Sequence, residues 1–305
     1  MIDTDTASDD AVALLLALAA DVEIEAITTV GGNVDVVQAT QNALYTCELM
    51  GSRVPVHMGC SKPLLFELET AQHVHGADGM GDIGLPLHGR EPAPGHAVDA
   101  LISAIRRSPG ELTLVTLGPL TNIAVALAVD PSIARMVRRC VVMGATGDGL
   151  GNITPVAEYN IYVDPHAARL VFESGLPIEV VGWDISRRFA TYSPHDVQQL
   201  RAVGTPLAHF AVDIQRVLQE FSLDLGLEGF DLPDPAAMAV ALDPGIVTEA
   251  EDVRIDIMVD EGLTRGQSIV SRPIDGRRPN AGIVRALDAQ RLRSMIRDAV
   301  RSTNS

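Results

Sequence analysis

The chain has 305 residues, is 47% hydrophobic with 4% aromatic residues, and carries a formal net charge of −17. Such a composition buries a sizeable core and excludes a disordered chain. Strong acidity without a basic stripe excludes a general nucleic-acid or membrane-surface binder and suits small or positively charged ligands.

The opening, MIDTDTASDD, carries Asp3, Asp5, Asp9 and Asp10 just before an apolar run, AVALLLALAA. That run is too short to span a bilayer and is expected as a buried core helix. VEIEAITTV (22–30) reads as a strand, DVVQATQNALYTCELMG (35–51) as a helix closed by glycine, and VPVHMG as a strand. The stretch 60–95 has little periodicity and carries HGADGMGDIGLP. A long glycine-rich loop in a compact domain is more often functional than idle. HAVDALISAIRRS then reads as a helix, ELTLVTLG as a strand and PLTNIAVALAV as a helix. RRCVVMGA follows as a strand, DPHAARLVFESG as a helix and PIEVVGWD as a strand. From Pro194 to about Leu242 helices dominate. VRIDIMVDEGLTRGQSIVSR (253–272) reads as a β-hairpin turning at Asp260–Thr264, and a helix closes the chain. This βαβα rhythm predicts one α/β domain over residues 1–305. Its sheet is open and mostly parallel, with helices on both faces, a helical insertion and a C-terminal hairpin.

Cys47, Cys60 and Cys140 are widely spaced and odd in number. With no C-x-x-C pair and no basic n-region at the acidic start, a reduced, cytoplasmic protein without a signal peptide is expected.

In open α/β sheets, ligands lie beyond the carboxyl ends of the strands. Asp3 and Asp5 lie two apart, so an extended backbone points them the same way. Ser8 or Asp9 is placed to cap the first helix, and acidic residues are stabilising in a first turn. Capping explains one or two carboxylates, not four. Converging carboxylates raise one another's pKa unless a cation joins them. Oxygen ligands without nearby Cys or His favour a hard ion, Ca²⁺ or Mg²⁺. TTVGGN supplies Gly31, Gly32 and Asn33 after the second strand, and LGPLTN leaves a carbonyl free at Leu117. GNITPVAEYNIYVDP contributes Asn152, Glu158 and Asn160, and Asp234 heads a later helix in LPDPAAMAVALDP. Carboxylates and amides at one rim of a sheet suit a metal plus a polyhydroxylated ligand such as a sugar.

DTDTASDDAVAL, TTVGGN, LGPLTNIAVAL, VVMGA with GNITPVAEYNIYVDPHAA, and DPAAMAVALDP occur in that order. Over residues 3 to about 245 the chain resembles the inosine–uridine-preferring nucleoside hydrolase family. The resemblance implies hydrolysis of the N-glycosidic bond of ribonucleosides to ribose and free base, with one bound Ca²⁺. It implies Asp5 as general base and metal ligand, with Asp10, the Leu117 carbonyl and Asp234 completing the metal set. Asp9, Asn33, Asn152, Glu158 and Asn160 are implied ribose binders, Met143 packs near the sugar, and Asp3 supports the site. A homodimer or homotetramer is also implied. Negative charge around the ring stabilises an oxocarbenium-like ribosyl cation, and a lowered water pKa supplies the nucleophile.

The chain departs from the family pattern in places. Thr6 and Ala7 replace a common Pro-Gly, and GA follows Met143 where GG is usual. Pro233 stands where many members carry a histidine that helps protonate the leaving base. His75, in the HGADG loop, is a candidate for the lid or the leaving group, with a lid residue lacking a proton role an equal reading. Polar residues of 206–231 are further candidates. His57, His88, His96, His166, His195 and His209 have no partner at metal-ligand spacing and are expected at the surface or in packing. Trp183 is expected in the core or packed near the site, and Tyr159 and Tyr162 in packing.

Two alternatives carry different chemistry. A calcium-dependent ribose- or nucleoside-binding protein without turnover would need no base such as Asp5. A haloacid-dehalogenase-like phosphatase would match the D-x-D-x-T opening, but Lys62 is the only lysine and lies early in the chain.

Overall fold

The computed structural model describes residues 1–272 and 276–301. Its strands are β1 (Ile2–Thr4), β2 (Ile27–Thr29), β3 (Val56–Met58), β4 (Thr113–Thr116), β5 (Arg139–Met143) and β6 (Ile178–Val181). They continue as β7 (Thr191–Tyr192), β8 (Phe230–Asp231), β9 (Val247–Ile257), β10 (Ser268–Ser271) and β11 (Ala281–Leu287). Nine of them form one sheet in the order β10-β9-β11-β6-β5-β4-β1-β2-β3, while β7 and β8 make a separate two-stranded ribbon. From β11 to β3 every pairing is parallel, and β9 runs antiparallel to both β10 and β11.

Period-2 alternation sends neighbouring side chains to opposite faces. Val115, Val141, Met143 and Val181 enter one core, and Leu114, Cys140, Val142 and Val180 the other. Both faces are therefore covered, as the apolar strands predict. From β1 the chain winds outward through β2 and β3, then returns to β4 beside β1 and proceeds the other way. The carboxyl ends of β1 and β4 thus flank a topological switch point, where a crevice must open.

The apolar run after β1 forms the helix Ser8–Ala19, buried continuously from Ser8 to Ala17. It packs against the helix Pro233–Leu242, whose Ala236, Ala237 and Ala239 are fully buried. Small residues let the two axes approach closely. Asp10 and Asp234, each in a first turn, are brought together in this way.

Three expectations need correction. The strand expected over 22–30 is confined to Ile27–Thr29, because its partner β1 offers only three residues to pair with. The hairpin strand begins at Val247 rather than 253, since β11 pairs along it from Leu287↔Val247 to Ala281↔Val253. After the hairpin only a terminal helix is expected, whereas β11 lies between the two and joins the hairpin to β6. The helix expected to close the chain is Ala289–Arg301.

Candidate active site

Asp3, Asp5, Asp9, Asp10 and Asp234 are all at most 5% exposed. One carboxylate oxygen from each of Asp9, Asp10 and Asp234 lies within 4.8 Å of the others. Neither Ser8 nor Asp9 caps the first helix. Its N-cap is Ala7, and Asp10 Oδ2 accepts the Ala7 backbone N–H at 2.9 Å. Thr4 Oγ1 donates to Asp10 Oδ1 at 2.5 Å, so two groups before the helix hold this carboxylate.

Asp5 lies just past the end of β1, where backbone from two loops closes on its carboxylate. The Asn33 N–H donates to Asp5 Oδ2 at 2.7 Å. A Cβ on Gly32 would sit 2.0 Å from Asp5 Oδ2, and one on Gly118 would sit 2.6 Å from Asp5 Oδ1. Glycine is required at both positions for the loops to close on the carboxylate. Asp3 has other partners. Its Oδ1 accepts from Thr28 Oγ1 at 2.5 Å and from Asn122 Nδ2 at 2.8 Å. Asn122 also accepts the Cys60 N–H, tying the strand core to the loop after β3.

Burial raises the pKa of each of these carboxyls. Asp3 is pushed to about 7, and Asp9 and Asp10 to about 6. Asp5 and Asp234 also rise well above the usual carboxylate range, with burial the larger cause and neighbouring carboxylates adding to it. Asp5 Oδ1 and Asp9 Oδ1 are buried with no hydrogen-bond partner among the described residues. Orphaned carboxylate oxygens converging in an all-oxygen set are what a hard divalent cation would satisfy. The site's donor chemistry therefore fits such an ion.

The amides gather beside this cluster. Asn160 Nδ2 donates to the Leu117 carbonyl at 2.7 Å and reaches the Met143 carbonyl at 3.3 Å. Glu158 Oε1 accepts the Asn160 N–H, and Oε2 accepts those of Ala145 and Ile161. It thereby caps the helix Tyr159–Val163. Burial raises its pKa to about 7. Asn152 Oδ1 accepts the Tyr159 N–H at 2.9 Å. His75 Nδ1 lies 2.9 Å from Ser8 Oγ and 3.7 Å from Asp9 Oδ1, and burial lowers its pKa to about 4.

A cavity of about 330 Å³ opens at this point. Asp9, Asn33, Leu117, Met143, Asn152, Glu158, Asn160, Asp234 and His75 all line it, whereas Asp3, Asp5 and Asp10 are not among its lining residues. Trp183, Leu218, Phe221 and Leu227 supply an apolar chamber, with Arg187, Asp231 and Pro233 among them. Trp183 is thus a near-site residue, consistent with its position directly after β6. Asp231 falls at the end of the 206–231 segment whose polar residues are candidates from the sequence, whereas Arg187 is not singled out there. Arg187 follows Trp183 by four residues in the helix Trp183–Phe189, so helical spacing was the available signal. Asp231 sits in a two-residue strand with no periodicity to reveal it. His57, His88, His96, His166, His195 and His209 do not line the cavity.

Fold and site define an open-sheet α/β enzyme whose pocket joins a buried carboxylate cluster to an apolar chamber. A family model for inosine–uridine preferring nucleoside hydrolases matches residues 1–294, and the chain belongs to that family of ribonucleoside N-glycosyl hydrolases. It is 36% identical over 295 residues to the pyrimidine-specific ribonucleoside hydrolase RihA of Salmonella agona, covering 95% of this chain and 94% of that one. The plant nucleoside hydrolase PpNRh1 superposes with a TM-score of 0.92 at 32% identity, covering 99% of this chain and 98% of that one. The purine-preferring ribonucleoside hydrolase from Gardnerella vaginalis gives 0.91 at 30% identity, over 98% and 97% of the two chains. The phosphatase alternative is set aside by these matches. Lys62, the chain's single lysine, is exposed and outside the cavity. Among the described residues, no helix is long and apolar enough to cross a membrane.

Proposed function

We propose that the chain hydrolyses ribonucleosides with Ca²⁺ held by Asp5, Asp10, Asp234 and the Leu117 carbonyl. The observation that carries this reading is a single cavity lined both by convergent carboxylates and amides and by apolar side chains. When bound, the cation supplies Lewis acidity toward a water molecule beneath the sugar. Asp5, with one oxygen unpartnered among the described residues, accepts that water's proton. Asp9, Asn33, Asn152, Glu158 and Asn160 orient the ribose hydroxyls, and Met143 packs beside the ring. The closely grouped Asp9, Asp10 and Asp234 would repel one another when ionised, and a cation beside them would relieve that repulsion.

The Leu117 carbonyl accepts the Asn160 amide at 2.7 Å and keeps a second lone pair for a metal ion. His75 positions Ser8 and Asp9 rather than serving the base. Base preference is not transferred from relatives, because RihA is named pyrimidine-specific and the Gardnerella enzyme purine-preferring. The test is ribose release from inosine, uridine, cytidine and adenosine, with chelator and with Ca²⁺ restored. Release that stops with chelator and returns with Ca²⁺ is expected. Turnover indifferent to chelator would remove the metal, and binding without ribose release would remove the hydrolytic role.

A further inference from the structure

Granted the hydrolysis proposed above, breaking the C1′–N bond leaves its electron pair on the base. An anionic purine or pyrimidine leaves poorly unless a ring nitrogen is protonated. Pro233 lines the chamber but has no proton to give. Asp231 lines the same chamber two residues earlier.

Asp231 is the register partner of Thr191 in the β7–β8 ribbon, so their side chains share one face. Thr191 Oγ1 lies 2.6 Å from Asp231 Oδ1 and 3.0 Å from the Arg187 carbonyl oxygen. A hydroxyl has a single proton, and the carbonyl only accepts. Thr191 can therefore serve the carbonyl while Asp231 carries its own proton. It can then turn to donate to Asp231 once that proton has gone. The hydroxyl thus suits both states of a carboxyl that gives up a proton.

We propose that Asp231 is the general acid for the departing base, handing its proton to a ring nitrogen as the glycosidic bond breaks. The bond's electron pair stays on the base, which leaves neutral. The water oxygen bonds to C1′ and its proton passes to Asp5. Asp5 then loses that proton to solvent, and Asp231 regains one from solvent, so one water is consumed per turnover.

The surroundings suit this role. Burial raises the Asp231 pKa, while the Thr191 hydroxyl and the Arg187 charge pull the other way. Arg187, beside Asp231, donates through Nη2 to Asp148 at 2.6 Å, while its buried Nε has no partner among the described residues. Arg293 donates to the Thr191 carbonyl at 2.9 Å and pairs with Asp196, fixing the ribbon from its other side. His73 is the rival donor at this end, with its ring 5.8 Å from Phe221.

The experiment measures kcat and KM against pH for the holoenzyme, Asp231→Asn and His73→Asn. Its substrates are inosine, uridine and p-nitrophenyl β-D-ribofuranoside, whose phenolate leaves without protonation. For Asp231→Asn, kcat on the nucleosides is expected to fall about 100-fold or more, with p-nitrophenyl riboside changed by less than about threefold. The high-pH descending limb on inosine should vanish in the same variant. Turnover of p-nitrophenyl riboside also reports that the variant is folded. Equal losses on all three substrates, unchanged inosine turnover, or a selective nucleoside loss in His73→Asn alone would each overturn the assignment. Wild-type failure on every substrate overturns the hydrolytic reading itself.

Discussion

The backbone N–H of Asn33 donates to Asp5 Oδ2 at 2.7 Å, while Asp5 Oδ1 is buried and unpartnered among the described residues. One oxygen fixes the side chain and the other is left for chemistry. Asp5→Asn retains a carbonyl oxygen for the Asn33 amide but cannot accept a proton from water. Turnover should fall by about 10² to 10⁴ while ribose affinity stays measurable. Steady-state kinetics with a ribose competition assay checks this. Unchanged kcat would remove Asp5 as the base.

Asp10 is held by Thr4 and Ala7 and lies within the close carboxylate group. Asp10→Ala should abolish calcium binding and activity together. A ligand that binds only the native state stabilises by about 2.7 kcal/mol at one hundred times its Kd. Wild type should therefore show a calcium-dependent rise in Tm that the variant lacks. A variant retaining both the rise and full activity would refute the assignment.

Gly32 has no room for a methyl group, because its Cβ would fall 2.0 Å from Asp5 Oδ2. In Gly32→Ala the carboxylate must move aside. A displacement near 1 Å at a reacting group costs on the order of 10²-fold. The kcat of Gly32→Ala should drop by about that factor, with the fold retained by circular dichroism. Near wild-type kcat would mean that the Asp5 position is not critical.

Acidification should stabilise the metal-free protein. Asp3 and Glu158 are raised to about 7, and Asp9 and Asp10 to about 6, all by burial. A carboxyl whose folded pKa is raised binds its proton more tightly when folded. Its contribution is complete below the unfolded value and is lost as pH rises through the folded one. In chelator, Tm should climb as pH falls from about 8 to about 5. Added Ca²⁺ should flatten that slope at the upper end. A chelated Tm that falls over the same interval would show that these carboxyls stay ionised in the folded state.

Much of the sheet was legible because apolar strands alternate with helices along the chain. The exceptions have local causes. VEIEAITTV has strand composition over its whole length, yet β1 leaves it only Ile27–Thr29 to pair. AGIVRAL carries strand character, but a partner for it exists only once β9 and β6 flank the same gap. The carboxylates of the first octad were conspicuous because four of them crowd one strand–helix junction. Their individual partners were not, since Asn33, Gly118 and Asn122 come from distant segments.

By itself, then, the sequence determined the alternating architecture, the family resemblance and the crowding of carboxylates at the first strand–helix junction. All of these rest on local pattern and on ordered motifs. Only the tertiary structure decided that Asp9, Asp10 and Asp234 meet, because that depends on two alanine-rich helices packing closely enough to bring their first turns together. It alone also brought Trp183, Arg187 and Asp231 to one cavity. Trp183 and Arg187 come from one short helix and Asp231 from the β7–β8 ribbon, so no local pattern in the chain joins them.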